Sequence, residues 1–143
     1  MRTYILQALG KIGDKSALPV ILEAARDTNS TIRRFAVSAL ADMGGTQAIN
    51  ALINALSDPE CDIRADAAMG LGKLGDKRAE NALITVLDDE DISVRTQAII
   101  ALGHLGSNRA SPLLNQMLTT ESNEWMIRYI TQAIREIEGG SYS

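Results

Sequence analysis

The chain has 143 residues, 45% of them hydrophobic and 22% charged, with a formal charge of −4, which is enough for one domain with its own core. Acidic and basic residues are well mixed, so a wholesale phosphate-neutralising surface is not expected, although this balance leaves room for one local basic stripe, and no nucleic-acid partner is expected. Cys61 is the lone cysteine, which rules out an internal disulfide and a cysteine-based zinc site.

The N-terminal "MRTYILQALGKIG" has a basic start but no apolar h-region, and no stretch reaches the roughly 18 apolar residues of a membrane span. A soluble, cytoplasmic protein with no membrane partner is the expectation. Ala and Leu are abundant while Val, Thr and aromatics are scarce, a balance that favours helix over sheet.

Taken in chain order, the elements repeat. "QALGKIGDKSALPVILEAARD", "SALADMGGTQAINALINALSD", "MGLGKLGDKRAENALITVLDD" and "IALGHLGSNRASPLLNQMLTT" align, and Gly13, Gly44, Gly75 and Gly106 recur with a constant spacing of 31. Leu9, Leu40, Leu71 and Leu102 keep that spacing, as do Ala17, Ala48, Ala79 and Ala110, and Arg2, Arg33, Arg64 and Arg95. A fifth, partial copy begins near Trp125; its Arg128 arrives two positions late, so the Thr120–Asn123 segment carries an insertion. Ile63, Ala67, Leu71 and Leu74 follow helical spacing, and so do Ala79, Leu83, Ile84 and Leu87. Between them, Gly75 suits a left-handed helix end and Asp76 a cap for the next helix. Each unit is thus a pair of short antiparallel helices, and stacked pairs bury a core that none could bury alone.

The fold expected is all-α, a right-handed solenoid of about four and a half helix pairs, with residues 1–138 as one domain and 139–143 as a flexible tail. The helix opening at Arg2 lacks a preceding partner, leaving Ile5, Leu9 and Ile12 uncovered on one side. Either a longer solenoid or self-association would cover them. The last helix carries Gln132, Arg135, Glu136 and Glu138, as a polar cap should.

The segment "GLGKLG" (70–75) has the G-x-G-x-x-G spacing of a dinucleotide-binding loop, with Asp88–Asp91 near the distance of a ribose-binding carboxylate. That fingerprint must follow a strand and open a helix, whereas "DIRADAAM" before it is helix-patterned. Gly72 and Gly75 are the repeat's own glycines, and only Gly70 departs from its column, where Ala8, Ala39 and Ala101 stand. A phosphate site is therefore not expected. The "DDED" run lacks the spaced ligands of a calcium loop and reads as a solvated capping turn. Arg33, Arg64 and Arg95 each follow an Asp by six residues (Asp27, Asp58, Asp89), which suggests ion pairs bracing each turn. Thr120 alters the last.

The pattern D-x(4)-[IV]-R-x(2)-A-x(2)-A-L-G-x-[IL]-G-D-x(2)-A-x(3)-L-[IL]-x(2)-L resembles the HEAT-like repeat of phycobilisome lyases, most closely in "DIRADAAMGLGKLGDKRAENALITVLDD". The resemblance implies that helices beginning [IV]-R line the concave side and that their variable positions face a partner. From these columns the expected partner-binding set is Tyr4, Arg34, Phe35, Asp66, Met69, Lys73, Ile92, Gln97, Ile100, His104, Trp125 and Tyr129. Four of the five aromatics fall there, although Phe35 could instead tuck between helices; the fifth, Tyr142, is in the tail. A non-catalytic module holding a protein or peptide on that face is the leading expectation, with no cofactor and no metal. The resemblance also implies an alternative, a bilin lyase or chromophore-handling subunit in which Asp66 meets pyrrole nitrogens. Deoxyhypusine hydroxylases of this repeat type hold di-iron with His-Glu pairs after the repeat arginine. Here those places are Thr3-Tyr4, Arg34-Phe35, Ala65-Asp66 and Thr96-Gln97, and His104 is the only histidine in the chain, so that chemistry is not expected.

Overall fold

The structure, a computed structural model, describes residues 2–139, and side chains from residue 3 onward. The expected tail, apart from Gly139, lies outside the described residues, as does Tyr142. Among the described residues nine α-helices follow one another: α1 (Arg2–Ile12), α2 (Leu18–Ala24), α3 (Ser30–Met43), α4 (Thr46–Ala55), α5 (Cys61–Leu74), α6 (Glu80–Thr85), α7 (Ile92–Leu105), α8 (Ser111–Thr120) and α9 (Glu124–Gly139). Short 3-10 turns precede α2 and α6, and one follows α6.

Local chemistry sets these boundaries. Asn29, Asp91 and Asn123 accept hydrogen bonds from the first free amides of α3, α7 and α9, satisfying donors that no helical carbonyl can reach. Gly75 closes α5 at φ 65° and ψ 23°, the left-handed conformation expected of it. Asp76 then accepts from the Arg78 amide and caps the 3-10 turn that leads into α6.

The odd-numbered helices stack in register into one layer, each packing most extensively on the next odd helix. The even-numbered helices form a second layer whose members pack mainly on the odd ones. Leu40, Leu71 and Leu102, one per repeat, are fully buried between the layers together with Ile21, Leu52, Leu83 and Leu114. The repeating columns thus form one continuous core.

Small residues explain how closely the odd helices approach. A Cβ added to Gly10 would stand 2.6 Å from Ala39 Cα, one on Gly72 would stand 2.7 Å from Ala101 Cα, and one on Gly103 would stand 2.9 Å from Ala133 Cα. At the α3–α5 joint the glycine's column is held by Ala41, and there the opposing alanine column is held by Gly70, whose added Cβ would lie 2.9 Å from Ala41 Cβ. Every joint therefore pairs one glycine with one alanine. Gly70 is the complement of Ala41. Because the odd layer packs this closely while successive even helices hardly touch, the stack bends with the odd layer inside.

A second device ties each unit to the next. Arg33 donates through Nε and Nη2 to the two carboxylate oxygens of Asp58 at 2.9 and 3.1 Å, and through Nη1 to the carbonyls of Asp27 and Thr28. Arg64 repeats the arrangement on Asp89 at 3.0 and 3.1 Å and on the carbonyls of Asp58 and Pro59. The expectation that each arginine pairs with the aspartate six residues before it is corrected. That residue supplies its carbonyl, and the ion pair is made with the aspartate of the following turn, Asp58 for Arg33 and Asp89 for Arg64. Helical geometry aims the guanidinium across the stack, so its fork meets the next turn. In the last unit Arg95 keeps its bonds to the carbonyls of Asp89 and Glu90, but no carboxylate among the described residues lies within salt-bridge distance.

Asp58 and Asp89 each also accept from the amide two residues on, of Glu60 and Asp91. Burial opposes their ionisation, yet the arginine forks and these amides outweigh it and hold both carboxyls below the usual 3.8. The acidic run is correspondingly divided: Asp89 sits in a clamp and Asp91 caps α7, whereas Asp88 and Glu90 face solvent.

Two predictions test this architecture. Gly70→Ala should cost about 1–3 kcal/mol by overpacking and Ala41→Gly about 1 kcal/mol by helix propensity. The double exchange should be more stable in urea than additivity of the two predicts, since it recreates the glycine–alanine pairing of the other joints; strict additivity would refute the complementarity. Second, carboxyls with a lowered folded pKa stabilise above their unfolded value and lose that contribution as pH falls through the folded one. The urea midpoint should therefore drop as pH falls below about 4, and Asp58→Asn with Asp89→Asn should flatten that drop while lowering the midpoint at pH 7.

Candidate functional site: an inner cleft across three helices

The N-terminal halves of α5, α7 and α9 enclose an open cleft of about 360 Å³ on the inner layer. Ala65, Asp66 and Met69 come from α5, and Ile92, Ser93, Thr96 and Gln97 from α7. Asn123, Trp125, Met126 and Tyr129 come from α9 and the turn before it. A helix presents one residue to a given side about every 3.6 positions, which is why 66/69, 92/96 and 125/129 converge.

The two walls differ. On the α9 side, Trp125 is 66% exposed and Tyr129 38%, and the Arg128 guanidinium lies 5.1 Å from the centroid of the indole ring, within cation–π range. Asn123 fixes this wall by accepting from the amides of Trp125 and Met126 at 2.9 and 3.2 Å. On the α5 side, Asp66 accepts from Arg34 Nε at 2.8 Å, and Asp62 stands 3.9 Å from the same guanidinium. The hydrogen bond to Asp66, then the charge of that carboxylate, raise the Arg34 pKa further. Between the walls the Thr96 hydroxyl donates to the Ile92 carbonyl and stands 3.1 Å from Met126 Sδ. The floor is thus apolar and satisfied, with amide and hydroxyl groups at its edges.

Of the expected partner-binding residues, the structure brings Asp66, Met69, Ile92, Gln97, Trp125 and Tyr129 together, with Arg34 joined through Asp66. The other five stand apart. Lys73 pairs with Asp42 at 3.3 Å and His104 stands 4.0 Å from Glu136, both towards the C-terminal ends of their helices. Phe35 is half-buried against the core, the alternative placement read for it. Ile100 is half-buried, and Tyr4 is 76% exposed on α1 beside Ile5 and Ile12. In the last unit Met126 and Ile130 are core residues, at 2% and 0% exposure. Ala65, Ser93 and Thr96 lie in the same variable columns as the expected set. Asn123 lies outside every column, and the one signal for it was the insertion at 120–123.

A larger open groove, about 590 Å³, separates the outer helices α6 and α8 and is lined by Ile84, Leu87, Leu113 and Met117 among others. It gathers none of the aromatic residues. No helix among the described residues is long and apolar enough to cross a membrane.

Residues 1–56 and 49–135 match the HEAT repeats family. The chain belongs to that family. Solved structures show the same HEAT-repeat architecture and the phycobilisome-lyase type of repeat read from the pattern. A chain in the complex of CpcE and CpcF of phycocyanin lyase from Nostoc sp. PCC7120 superposes with a TM-score of 0.84 at 26% identity, over 96% of this chain and 59% of its own. Human deoxyhypusine hydroxylase in complex with glycerol gives 0.74 at 26% identity, over 92% of this chain and 47% of its own. A designed armadillo repeat protein in complex with the peptide (KR)4 gives 0.71 at 17% identity, over 94% and 73% of the two chains, a likeness of fold alone. This HEAT-repeat chain therefore spans 59% and 47% of the first two proteins' lengths. No curated protein sequence matches it.

Proposed function

We propose that the chain is a non-catalytic interaction module that holds an apolar segment of a protein partner in the inner cleft. The observation that carries this reading is the cleft itself. Trp125, Tyr129, Met69 and Ile92 converge on it while remaining 38–66% exposed, although the core beside them is fully packed. Exposed aromatics grouped in a concavity are where interface energy concentrates, since Trp and Tyr supply large contact areas at little entropic cost. The hydroxyls and amides of Ser93, Gln97 and Asn123 at the edge suit the main chain of an extended or helical segment.

Panning a random peptide library on the immobilised protein tests the reading. Enriched peptides should bind with an affinity that Trp125→Ala or Met69→Ala lowers by about tenfold or more, with the far-UV CD and melting temperature unchanged because both side chains are largely exposed. Enriched peptides that bind both variants as tightly as the wild type would refute the assignment.

The likeness to a chain of the phycocyanin lyase complex favours a second reading, a subunit that handles a bilin chromophore in the same cleft. Trp125 and Tyr129 would stack on the tetrapyrrole and Asp66 would meet its pyrrole nitrogens, exchanging its bond to Arg34. Free phycocyanobilin added to the protein should then show a shifted absorbance band that Asp66→Asn weakens; an unchanged spectrum at excess protein counts against this reading.

A further inference from the structure

Three exposed carboxylates outside the cleft's lining, each within a turn of a lining residue, narrow its occupant. Asp62 lies one turn before Asp66 and its side chain is 72% exposed. Glu90 lies just before Ile92 and Ser93 and its side chain is 91% exposed, and Glu124, next to Trp125, is exposed. Each stands where one of the three helices begins. The basic side chains nearest to them are already engaged: Arg64 in its clamp, 3.8 Å from Glu90, Arg95 on the carbonyls of Asp89 and Glu90, Arg34 on Asp66 with Asp62 at 3.9 Å, and Arg128, one turn after Glu124, on the Trp125 ring.

At α7 and α9 the helix amides that would draw an anion are engaged as well, whereas Glu60 makes no side-chain cap at α5. Asp91 accepts from Ser93 and Val94, and Asn123 from Trp125 and Met126, so the dipole ends of α7 and α9 are covered by oxygen ligands. Both walls, meanwhile, already receive guanidinium groups from the chain itself, Arg34 on the carboxylates and Arg128 on the indole face. Their geometry shows which chemistry each wall attracts.

We propose that the occupant is a cationic peptide segment of a partner, in which apolar side chains enter between Met69, Ile92 and Trp125 while Arg or Lys side chains meet Asp62, Glu90 and Glu124. This rests on the reading of the cleft as a peptide site and adds the partner's charge. Exposed carboxylates steer and select more than they bind, so the preference is a salt-dependent one superimposed on apolar contact.

Trp125 is the only tryptophan in the chain, so its emission reports occupancy directly. Three N-acetylated, C-amidated octapeptides, alternating Leu with Arg, Leu with Ser and Leu with Glu, are titrated at low salt and again at about 0.5 M, where the screening length is only a few ångströms. The Leu–Arg peptide should bind about tenfold tighter than the Leu–Ser peptide at low salt, with the ratio approaching one at high salt. Glu90→Gln with Glu124→Gln, both at exposed positions, should cut that ratio about threefold and leave the melting temperature unchanged. Equal affinity for the Arg and Ser peptides, or preference for the Glu peptide, overturns the cationic assignment and leaves the apolar cleft standing. No change in Trp125 emission with any peptide overturns both.

Discussion

The clamp made by Arg33 in α3 and Arg64 in α5 is the interaction on which the stack depends. A single guanidinium does two things there. One edge bonds the carbonyls left open in the turn before its own helix, and the other forks onto the aspartate of the next turn. The aspartate in turn holds the amide two residues on. Three backbone groups and two opposite charges are thus satisfied at each of these joints, at side-chain exposures of only 9–15%. A lysine could not do this, because the arrangement needs a planar group with donors on two edges. Burying such a pair contributes little net energy by itself, but leaving either partner alone would be costly. That asymmetry fixes the register of the stack, since a slip by one residue would strand a buried guanidinium.

Much of this was legible in the sequence. The repeat period, the paired helices and the glycine ends are properties of single columns, and columns are what a periodic chain displays. Pairings between columns are less visible. The aspartate six residues before each arginine is nearer in sequence than the one in the following turn, so proximity pointed to the wrong carboxylate. The oddity of Gly70 could be seen as a departure from an alanine column. Its reason lay across the joint at Ala41, and only the contact between α3 and α5 shows that the two substitutions compensate.

The site was half legible, and the reason is geometric. Periodicity names every position on the inner face, but it assigns the same status to all five inner helices. The structure separates them. Between α3 and α5 the inner positions are spent on cross-helix pairs, Arg34 with Asp66 and Lys73 with Asp42, and Phe35 packs half-buried against the core. Between the N-terminal parts of α5, α7 and α9 they stay open, with Met69, Ile92, Trp125 and Tyr129 exposed among polar neighbours. Trp125 and Tyr129 belonged to the expected set by column alone, whereas Asn123, which caps the turn that carries Trp125, sits in the stretch where the repeat breaks down.

That breakdown explains why the cleft lies at the end of the stack. The insertion does not lengthen the turn before α9, as the sequence suggested, but extends α8: only 121–123 separate α8 from α9, against 56–60 between α4 and α5, and Glu121 stands three residues ahead of the helix, as Asp58 and Asp89 do before α5 and α7. Its carboxylate bonds the Ser122 and Asn123 amides at 3.0 and 2.9 Å, so it performs the turn-holding half of the aspartate's role and leaves Arg95 without its fork. The position of α9 is then set by the Gly103–Ala133 contact and by the buried face of Met126, Ile130, Ala133, Ile134 and Ile137. Where the clamp holds, the first turn of the inner helix is tied down by the repeat itself. At α9 that turn is tied by its own cap and by buried Met126, with no clamp, which frees the neighbouring surface for residues that the repeat does not require, and there the chain places its one tryptophan.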